Sequence, residues 1–239
     1  MIVIPMAGLS SRFFKAGFKE PKYMLEAHGI TLFDHAIKSF NKYFNSEKFI
    51  FIVRNIYNTP GFVKERVESL GISNFEIIVL DKETRGQAET VYIGIKKSKF
   101  SKSESITIFN IDTFRPNFSY PDIAKSGDGY LEVFEGTGDN WSFVKAQSID
   151  SLRVIKTTEK KPISNLCCTG LYYFSKVSDF VSVYEQYSEK DPSEWEKGEL
   201  YVAPLYNIMI NNKKEIYYNL IKKNEVIFCG TPDEYENFK

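Results

Sequence analysis

Short apolar runs alternate with amphipathic stretches along the first half of the chain. Continuous apolar runs predict buried β-strands at residues 2–5, 49–53, 75–80 and 105–109. Between them, apolar residues recur at helical spacing and predict helices at residues 31–44, 62–70 and 87–98. Thr31 and Asp34 resemble a capping box at the start of the first helix, and Gly71 follows the second. Strands separated by helices in this way predict a parallel sheet covered on both faces.

The second half of the chain has a different pattern. Short strand-like runs with turn residues between them occupy residues 130–134, 141–147, 152–157 and 169–174. Helical patterns follow at residues 176–187 and 199–212, then a strand at 215–221 and a closing turn at 230–232. The whole pattern predicts an α/β fold with a mixed, mostly parallel sheet flanked by helices and a small antiparallel addition. Because no flexible linker or repeat separates the halves, we expect one domain over 1–239, with halves of about 1–115 and 116–239.

Composition and charge exclude several classes of protein. The 239 residues include 31 Lys and Arg against 31 Asp and Glu, so the formal net charge is zero. A protein that binds the nucleic-acid backbone is normally clearly basic, so nucleic acid is not an expected partner. The 43% hydrophobic and 15% aromatic content argues against disorder. No apolar run approaches the ~20 residues that a membrane span needs.

The cysteines and the N-terminal residues indicate a cytoplasmic protein. The three cysteines are an odd number, and two of them are adjacent, so neither a disulfide framework nor a CxxC metal site is expected. Residues 1–6 lack the basic segment of a signal peptide and have the pattern of a strand that enters a loop.

A loop of small residues after the first strand carries the most informative chemistry. It contains Ala7, Gly8, Ser10 and Ser11, and it is followed by basic residues at Arg12 and, after Pro21, at Lys22. Small residues let backbone N–H groups approach phosphate oxygens, and the two cations can neutralise phosphate charge. The loop is neither a Walker A motif nor a G-x-G-x-x-G motif. An ordinary βα turn with two solvated cations is the alternative.

Several segments in order resemble the sugar-phosphate nucleotidyltransferase family. The first is Ala7-Gly8-x-Ser-Ser-Arg12…Pro21-Lys22, which resembles the family signature G-x-G-x-R…P-K, with Ser10 in place of the usual second glycine. The others are Gly86-Gln87-Ala88, Asn110-Ile-Asp112, Glu159-Lys160, Thr169-Gly170, Gly198-Glu199-Leu200 and Gly230-Thr-Pro-Asp. The resemblance covers nearly the whole chain and implies a Rossmann-like fold.

The resemblance implies attack by a phosphorylated acceptor on the α-phosphate of a nucleoside triphosphate, with release of pyrophosphate. Arg12 would hold the leaving phosphates, Lys22 would bridge the α-phosphate and the acceptor phosphate, and Asp112 would bind Mg²⁺. The implied nucleotide-binding residues are Ala7, Gly8, Leu9, Ser10, Ser11, Gly86, Gln87, Ala88 and Asn110. The implied acceptor-binding residues are Glu159, Lys160, Gly170 and Glu199, with Tyr172 or Tyr173 as possible lining residues.

Two points remain open at the level of sequence. Lys160 and Lys161 are adjacent, and either one can face the acceptor. Many family members carry a second metal-binding Asp two residues before the terminal Gly-Thr, where this chain has Phe228. Water, phosphate oxygens or another carboxylate would then complete the metal shell, unless the protein binds nucleotide without turnover.

The length of the chain and several internal phrases narrow the expected substrates. Chains of about this length are common among cytidylyltransferases of the same fold, and residues 139–145 and 159–164 resemble nucleotidyltransferases of capsular polysaccharide biosynthesis. This resemblance implies CTP as the nucleotide and L-glutamine phosphate as the acceptor, with CDP-L-glutamine as the product. A sugar 1-phosphate with CTP, UTP or dTTP is the alternative pair of substrates. An unrelated phosphate-binding α/β enzyme is a further alternative, and an oligomer is possible.

Overall fold

The structure is a computed structural model that describes residues 1–239. Its strands, in chain order, are β1 Ile2–Pro5, β2 Glu26–Ala27, β3 Ile30–Thr31, β4 Phe49–Arg54, β5 Phe75–Leu80, β6 Ile106–Phe109, β7 Thr113–Phe114, β8 Gly129–Glu135, β9 Ser142–Ala146, β10 Val154–Glu159, β11 Leu166–Phe174, β12 Ile216–Ile221 and β13 Ile227–Phe228. Its α-helices are α1 Ser11–Lys15, α2 Leu32–Lys38, α3 Thr59–Ser69, α4 Gln87–Lys97, α5 Val177–Ser188, α6 Leu205–Asn211 and α7 Pro232–Phe238. No helix is long and apolar enough to cross a membrane.

The chain divides into two compact units, each built from separate stretches of sequence. The first unit contains Ile2–Glu83, Phe109–Ser119 and Asn224–Lys239. The second unit contains Met1, Thr84–Ile108 and Tyr120–Lys223.

In the first unit, β1 and β4 are parallel and nearly fully buried. β1 pairs with β4 in parallel, and β4 pairs with β5 in parallel. Residues 49–53 of β4 are all buried, as expected for a strand with helices on both faces. The predicted capping box at α2 is present, since Thr31 and Asp34 each accept a backbone N–H from the other. The small antiparallel pairs β2–β3 and β7–β13 also belong to this unit.

In the second unit, most of the strands pair in antiparallel fashion. β11 pairs with β8 and β9, and β9 pairs with β10, while β12 runs parallel to β8. Helix α5 packs on β11, and α6 packs on β10 and β12. The predicted α/β class, with a mixed sheet, flanking helices and an antiparallel addition, is therefore confirmed.

Three predicted elements differ from the structure. The helix predicted at residues 31–44 ends at Lys38, and a short 3₁₀ turn at Asn41–Tyr43 follows it. The helix predicted at 199–212 begins only at Leu205, because Pro204 occupies its N-cap and residues 199–201 are not helical. The predicted turn at 230–232 is the start of α7, where Thr231 and Glu234 form a second capping box.

Candidate functional site

In the first unit, the loop after β1 has an accessible backbone. Gly8 has open space where a side chain would stand, Leu9 is 43% exposed, and Arg12 is exposed. Ser10, which replaces the usual family glycine, has the left-handed backbone angle (φ 51°) that glycine adopts more readily. Its side chain helps to hold this conformation, because the Lys22 N–H donates to Ser10 Oγ at 3.2 Å.

Lys22 and Asp112 form an ion pair in the first unit, although 90 positions separate them in sequence. Lys22 Nζ lies 2.5 Å from Asp112 Oδ2, and the two side chains are 20% and 23% exposed. Lys22 starts a 3₁₀ turn directly after the buried Pro21, and Asp112 lies between β6 and β7. Asn110 is half-buried, and its carbonyl accepts the Thr113 N–H at 3.3 Å. The pair places a cation and a carboxylate where both can contact phosphate oxygens or a metal.

The C-terminal segment of the chain lies beside Asp112. β13 pairs with β7, so Phe228 stands opposite Thr113, and the Cys229 N–H donates to the Asp112 carbonyl at 2.8 Å. A Cβ on Gly230 would stand 3.0 Å from Asp112 Oδ2, so this glycine leaves space at the carboxylate. Burial, together with the negative charges of Glu234 and Asp112, raises the pKa of Cys229 to about 12.

The donor set beside Asp112 fits a magnesium ion that phosphate oxygens share. Mg²⁺ is commonly held by one or two carboxylates together with substrate phosphates. Asp112 offers one partly buried carboxylate, whereas Phe228 offers no oxygen in its side chain. No group of three or more His, Cys, Asp or Glu residues lies together to hold an ion by itself. An ion bound at Asp112 would therefore take most of its ligands from water or from substrate oxygens.

In the second unit, the turn before α4 is joined to the Gly-Glu-Leu segment by two backbone hydrogen bonds. The Leu200 N–H donates to the Arg85 carbonyl at 2.9 Å, and the Ala88 N–H donates to the Leu200 carbonyl at 2.8 Å. Gly86 has φ 150°, and a Cβ there would stand 2.5 Å from the Leu200 oxygen. Only glycine allows this close approach. Gln87 is the first residue of α4. The two backbone hydrogen bonds therefore hold the turn predicted to bind the nucleotide against the segment that carries Glu199, which is predicted to bind the acceptor.

Glu159 is a buried carboxylate held by polar neighbours in the second unit. It is 6% exposed, at the end of β10, and Ser142 stands opposite it on β9. Ser142 Oγ donates to Glu159 Oε2 and lies 3.1 Å from the Tyr172 hydroxyl. The Glu159 N–H donates to the Glu196 carboxylate. Burial raises the pKa of Glu159 above its ordinary value, and the charges of Glu196 and Glu199 act in the same direction.

Lys160 and Lys161 have different environments. Lys160 is half-buried, and its Nζ donates to the Tyr201 hydroxyl at 2.5 Å, whereas Lys161 is exposed. Glu199 is exposed, and Gly170 has φ 95° where the register of β11 shifts against β8. Lys160 is therefore the lysine held beside the other acceptor-side residues.

The structure brings the predicted residues together in two clusters. The first unit joins the loop, Lys22 and Asp112, while the second unit contains the turn at Gly86 and the acceptor-side residues. The prediction did not include Ser142, Glu196 or Tyr201. Ser142 is recognisable only from the strand register, because it faces Glu159 across β9 and β10. Nothing in the local sequence marks the other two.

Comparison with solved structures finds matches at very different sequence identities. No protein-family model matches the chain, and no curated protein matches it. The nucleoside-diphosphate-sugar pyrophosphorylase from Vibrio cholerae RC9 is 58% identical, with a TM-score of 0.96, and the match covers 100% of this chain and 99% of that chain.

Two more distant structures share the fold. The inositol-1-phosphate CTP transferase from T. maritima is 16% identical, with a TM-score of 0.74 and coverage of 98% of this chain and 89% of that one. A UDP-glucose pyrophosphorylase in complex with UDP-glucose is 15% identical, with a TM-score of 0.74 and coverage of 99% and 95%. These matches support the predicted Rossmann-like nucleotidyltransferase fold. Since the Vibrio cholerae match extends over the full length at 58% identity, the chain belongs to the family of that pyrophosphorylase and is a nucleotidyltransferase.

Proposed function

We propose that the protein transfers CMP from CTP to a small phosphorylated acceptor and releases pyrophosphate. The best acceptor is L-glutamine phosphate, which would give CDP-L-glutamine for capsular polysaccharide modification in the cytoplasm. The observation that carries the proposal is the Lys22–Asp112 pair at 2.5 Å beside an accessible loop of small residues. We propose one nucleotidyltransferase domain over 1–239, with its nucleotide half at about 1–115 and its acceptor half at about 116–239.

The reaction needs charge neutralisation and positioning rather than a covalent nucleophile. An acceptor phosphate oxygen attacks the α-phosphorus, and the bond to the bridging oxygen breaks, so pyrophosphate leaves with the electron pair. Lys22 contacts the α-phosphate and the incoming phosphate, and Arg12 contacts the leaving phosphates. Mg²⁺, held by Asp112 and phosphate oxygens, would supply further neutralisation of the negative charge. The backbone of residues 7–11 binds the nucleotide, together with Gly86, Gln87, Ala88 and Asn110.

The charge around Glu159 supports an acceptor that carries an amine. The carboxylates of Glu196 and Glu199 lie close enough for their charges to act on Glu159. An ammonium group on the acceptor would relieve their repulsion, whereas a neutral sugar would offer only hydroxyl hydrogen bonds. Lys160 would bind the acceptor phosphate, and Gly170 lies on the strand that also carries Tyr172. The amine and the phosphate of L-glutamine phosphate match this combination.

A sugar 1-phosphate is the second candidate acceptor. It is favoured by the 58% identity to a protein described as a nucleoside-diphosphate-sugar pyrophosphorylase. Glu159 would then accept hydrogen bonds from sugar hydroxyls. The fold does not favour one nucleotide, because the T. maritima CTP transferase and the UDP-glucose pyrophosphorylase match with the same TM-score of 0.74.

Substitutions in the first unit test the catalytic roles. Lys22→Ala and Asp112→Ala should each lower the rate of pyrophosphate release by roughly two to three orders of magnitude, the effect of losing a preorganised electrostatic contact. Lys48→Ala is the matched control, because Lys48 also pairs with a carboxylate, Glu76 at 2.9 Å. Near-normal rates for either Lys22→Ala or Asp112→Ala would refute the role assignments. Complete inactivity of the wild type with every nucleotide and acceptor would instead support a binding protein without turnover.

A further inference from the structure

The side chain of Lys160 is already fixed by an aromatic neighbour. Lys160 follows the last residue of β10 in a left-handed conformation (φ 51°), and its N–H donates to the Trp141 carbonyl at 2.8 Å. Its Nζ donates to the Tyr201 hydroxyl at 2.5 Å and lies 4.7 Å from the centre of the Tyr201 ring. The ammonium is thus held by a hydrogen bond and by the ring face together.

Tyr201 is itself anchored to the turn at Gly86. Its neighbour Leu200 is fully buried and makes both backbone hydrogen bonds to that turn, through Arg85 and Ala88. The Tyr201 N–H donates to the Glu199 carbonyl at 3.1 Å. A short, rigid path therefore leads from the turn of the proposed nucleotide site to the Lys160 ammonium.

We propose that Tyr201 is a positioning residue, which holds the Lys160 ammonium in place to receive the phosphate of the acceptor. This inference rests on the proposed function. A lysine ammonium has three donors, so the bond to Tyr201 leaves two for phosphate oxygens. A free lysine side chain loses considerable rotamer entropy when it is immobilised, and Tyr201 removes most of that cost before the acceptor binds.

Tyr201→Phe tests this role by removing the hydroxyl and keeping the ring. With CTP and L-glutamine phosphate, or with the sugar 1-phosphate if that is turned over, the acceptor KM should rise roughly ten-fold. The CTP KM and kcat should change less than about two-fold. The double variant Tyr201→Phe/Lys160→Met should have the same acceptor KM as Lys160→Met alone, because Tyr201 acts through that lysine. Tyr92→Phe is the matched control, since its hydroxyl also donates to a charged partner, Glu185 at 2.7 Å.

A labelling experiment tests the same contact without turnover. We expect the Lys160 amine to react slowly with an acylating reagent in the wild type and several-fold faster in Tyr201→Phe, with Lys161 unchanged. If Lys160 is labelled at the same rate in the wild type and in Tyr201→Phe, the role of Tyr201 is overturned. An active Tyr201→Phe enzyme with an unchanged acceptor KM would overturn it too, and both results would leave the proposed function intact. An inactive wild type would overturn the proposed function, while the labelling would still decide whether Tyr201 holds Lys160.

Discussion

Gly86→Ala is the substitution that the structure most clearly forbids. A Cβ at this position would stand 2.5 Å from the Leu200 oxygen, 2.6 Å from its nitrogen and 2.8 Å from its carbonyl carbon. These are backbone atoms, so no side chain can rotate away. Leu200 would have to move, and its hydrogen bonds to Arg85 and Ala88 would lengthen or break.

The expected loss of stability has three parts. The positive φ of Gly86 costs alanine about 1 kcal/mol, crowding against a backbone costs about 1–3 kcal/mol, and each weakened hydrogen bond costs about 0.5–1.5 kcal/mol. With both hydrogen bonds weakened, these parts predict a loss of roughly 3–7 kcal/mol, or a fall in melting temperature of roughly 10–20 °C. Gly198→Ala, which has positive φ (72°) and open space, should lose only about 1 kcal/mol. Gly8→Ala has neither problem and should change stability by less than about 0.5 kcal/mol.

Thermal and urea unfolding of the three variants, monitored by circular dichroism, measure these differences. From the most to the least stable, the order should be Gly8→Ala, Gly198→Ala and Gly86→Ala. If Gly86→Ala and Gly198→Ala have the same melting temperature, the close approach of Gly86 to Leu200 has no energetic effect. That result would refute the expected cost of a side chain at Gly86.

The remaining predictions concern buried charges and thiols. Asp34→Ala should destabilise the protein by about 3 kcal/mol in urea unfolding, because the fully buried Asp34 accepts from Arg66 at 2.5 and 3.0 Å; Thr31→Ala, which removes only the helix cap, should cost about 1 kcal/mol. Since burial raises the folded-state pKa of Glu159, Glu159→Gln should be the more stable protein at neutral pH. The stability advantage of Glu159→Gln should shrink as the pH falls through the pKa of Glu159 in the folded protein. It should vanish below the pKa of this residue in the unfolded chain, and a stability difference that does not depend on pH would contradict the prediction. Cys229, buried with a pKa of about 12, should resist alkylation at pH 8 until the protein unfolds, and rapid labelling of the native protein would show that it is accessible.

Two features of the first unit were predictable because local sequence determines them. The run at residues 75–80 alone gives β5, and Thr31 with Asp34 gives the start of α2. The start of α6 was not predictable in the same way. Residues 199–201 have a helical pattern, but the backbone of Leu200 is hydrogen-bonded to partners more than 100 positions away, Arg85 and Ala88.

The candidate site was predictable only in part, for a similar reason. The order of motifs singled out Lys22 and Asp112, and the structure places them 2.5 Å apart. The contact between Lys160 and Tyr201 joins residues 41 positions apart, and no local signal pairs them. Ser142 required the register of β9 against β10, which alternation alone does not fix.

The most direct test of the central claim is to identify the product of the reaction. The purified protein would be incubated with Mg²⁺, each of the four nucleoside triphosphates in turn, and either L-glutamine phosphate or a panel of sugar 1-phosphates. Pyrophosphate and the nucleotide product would be quantified together by mass spectrometry. The proposal predicts CDP-L-glutamine and pyrophosphate in equal amounts, formed from CTP. A nucleoside-diphosphate sugar instead would contradict the proposed acceptor, and the absence of pyrophosphate with every pair would contradict nucleotidyl transfer itself.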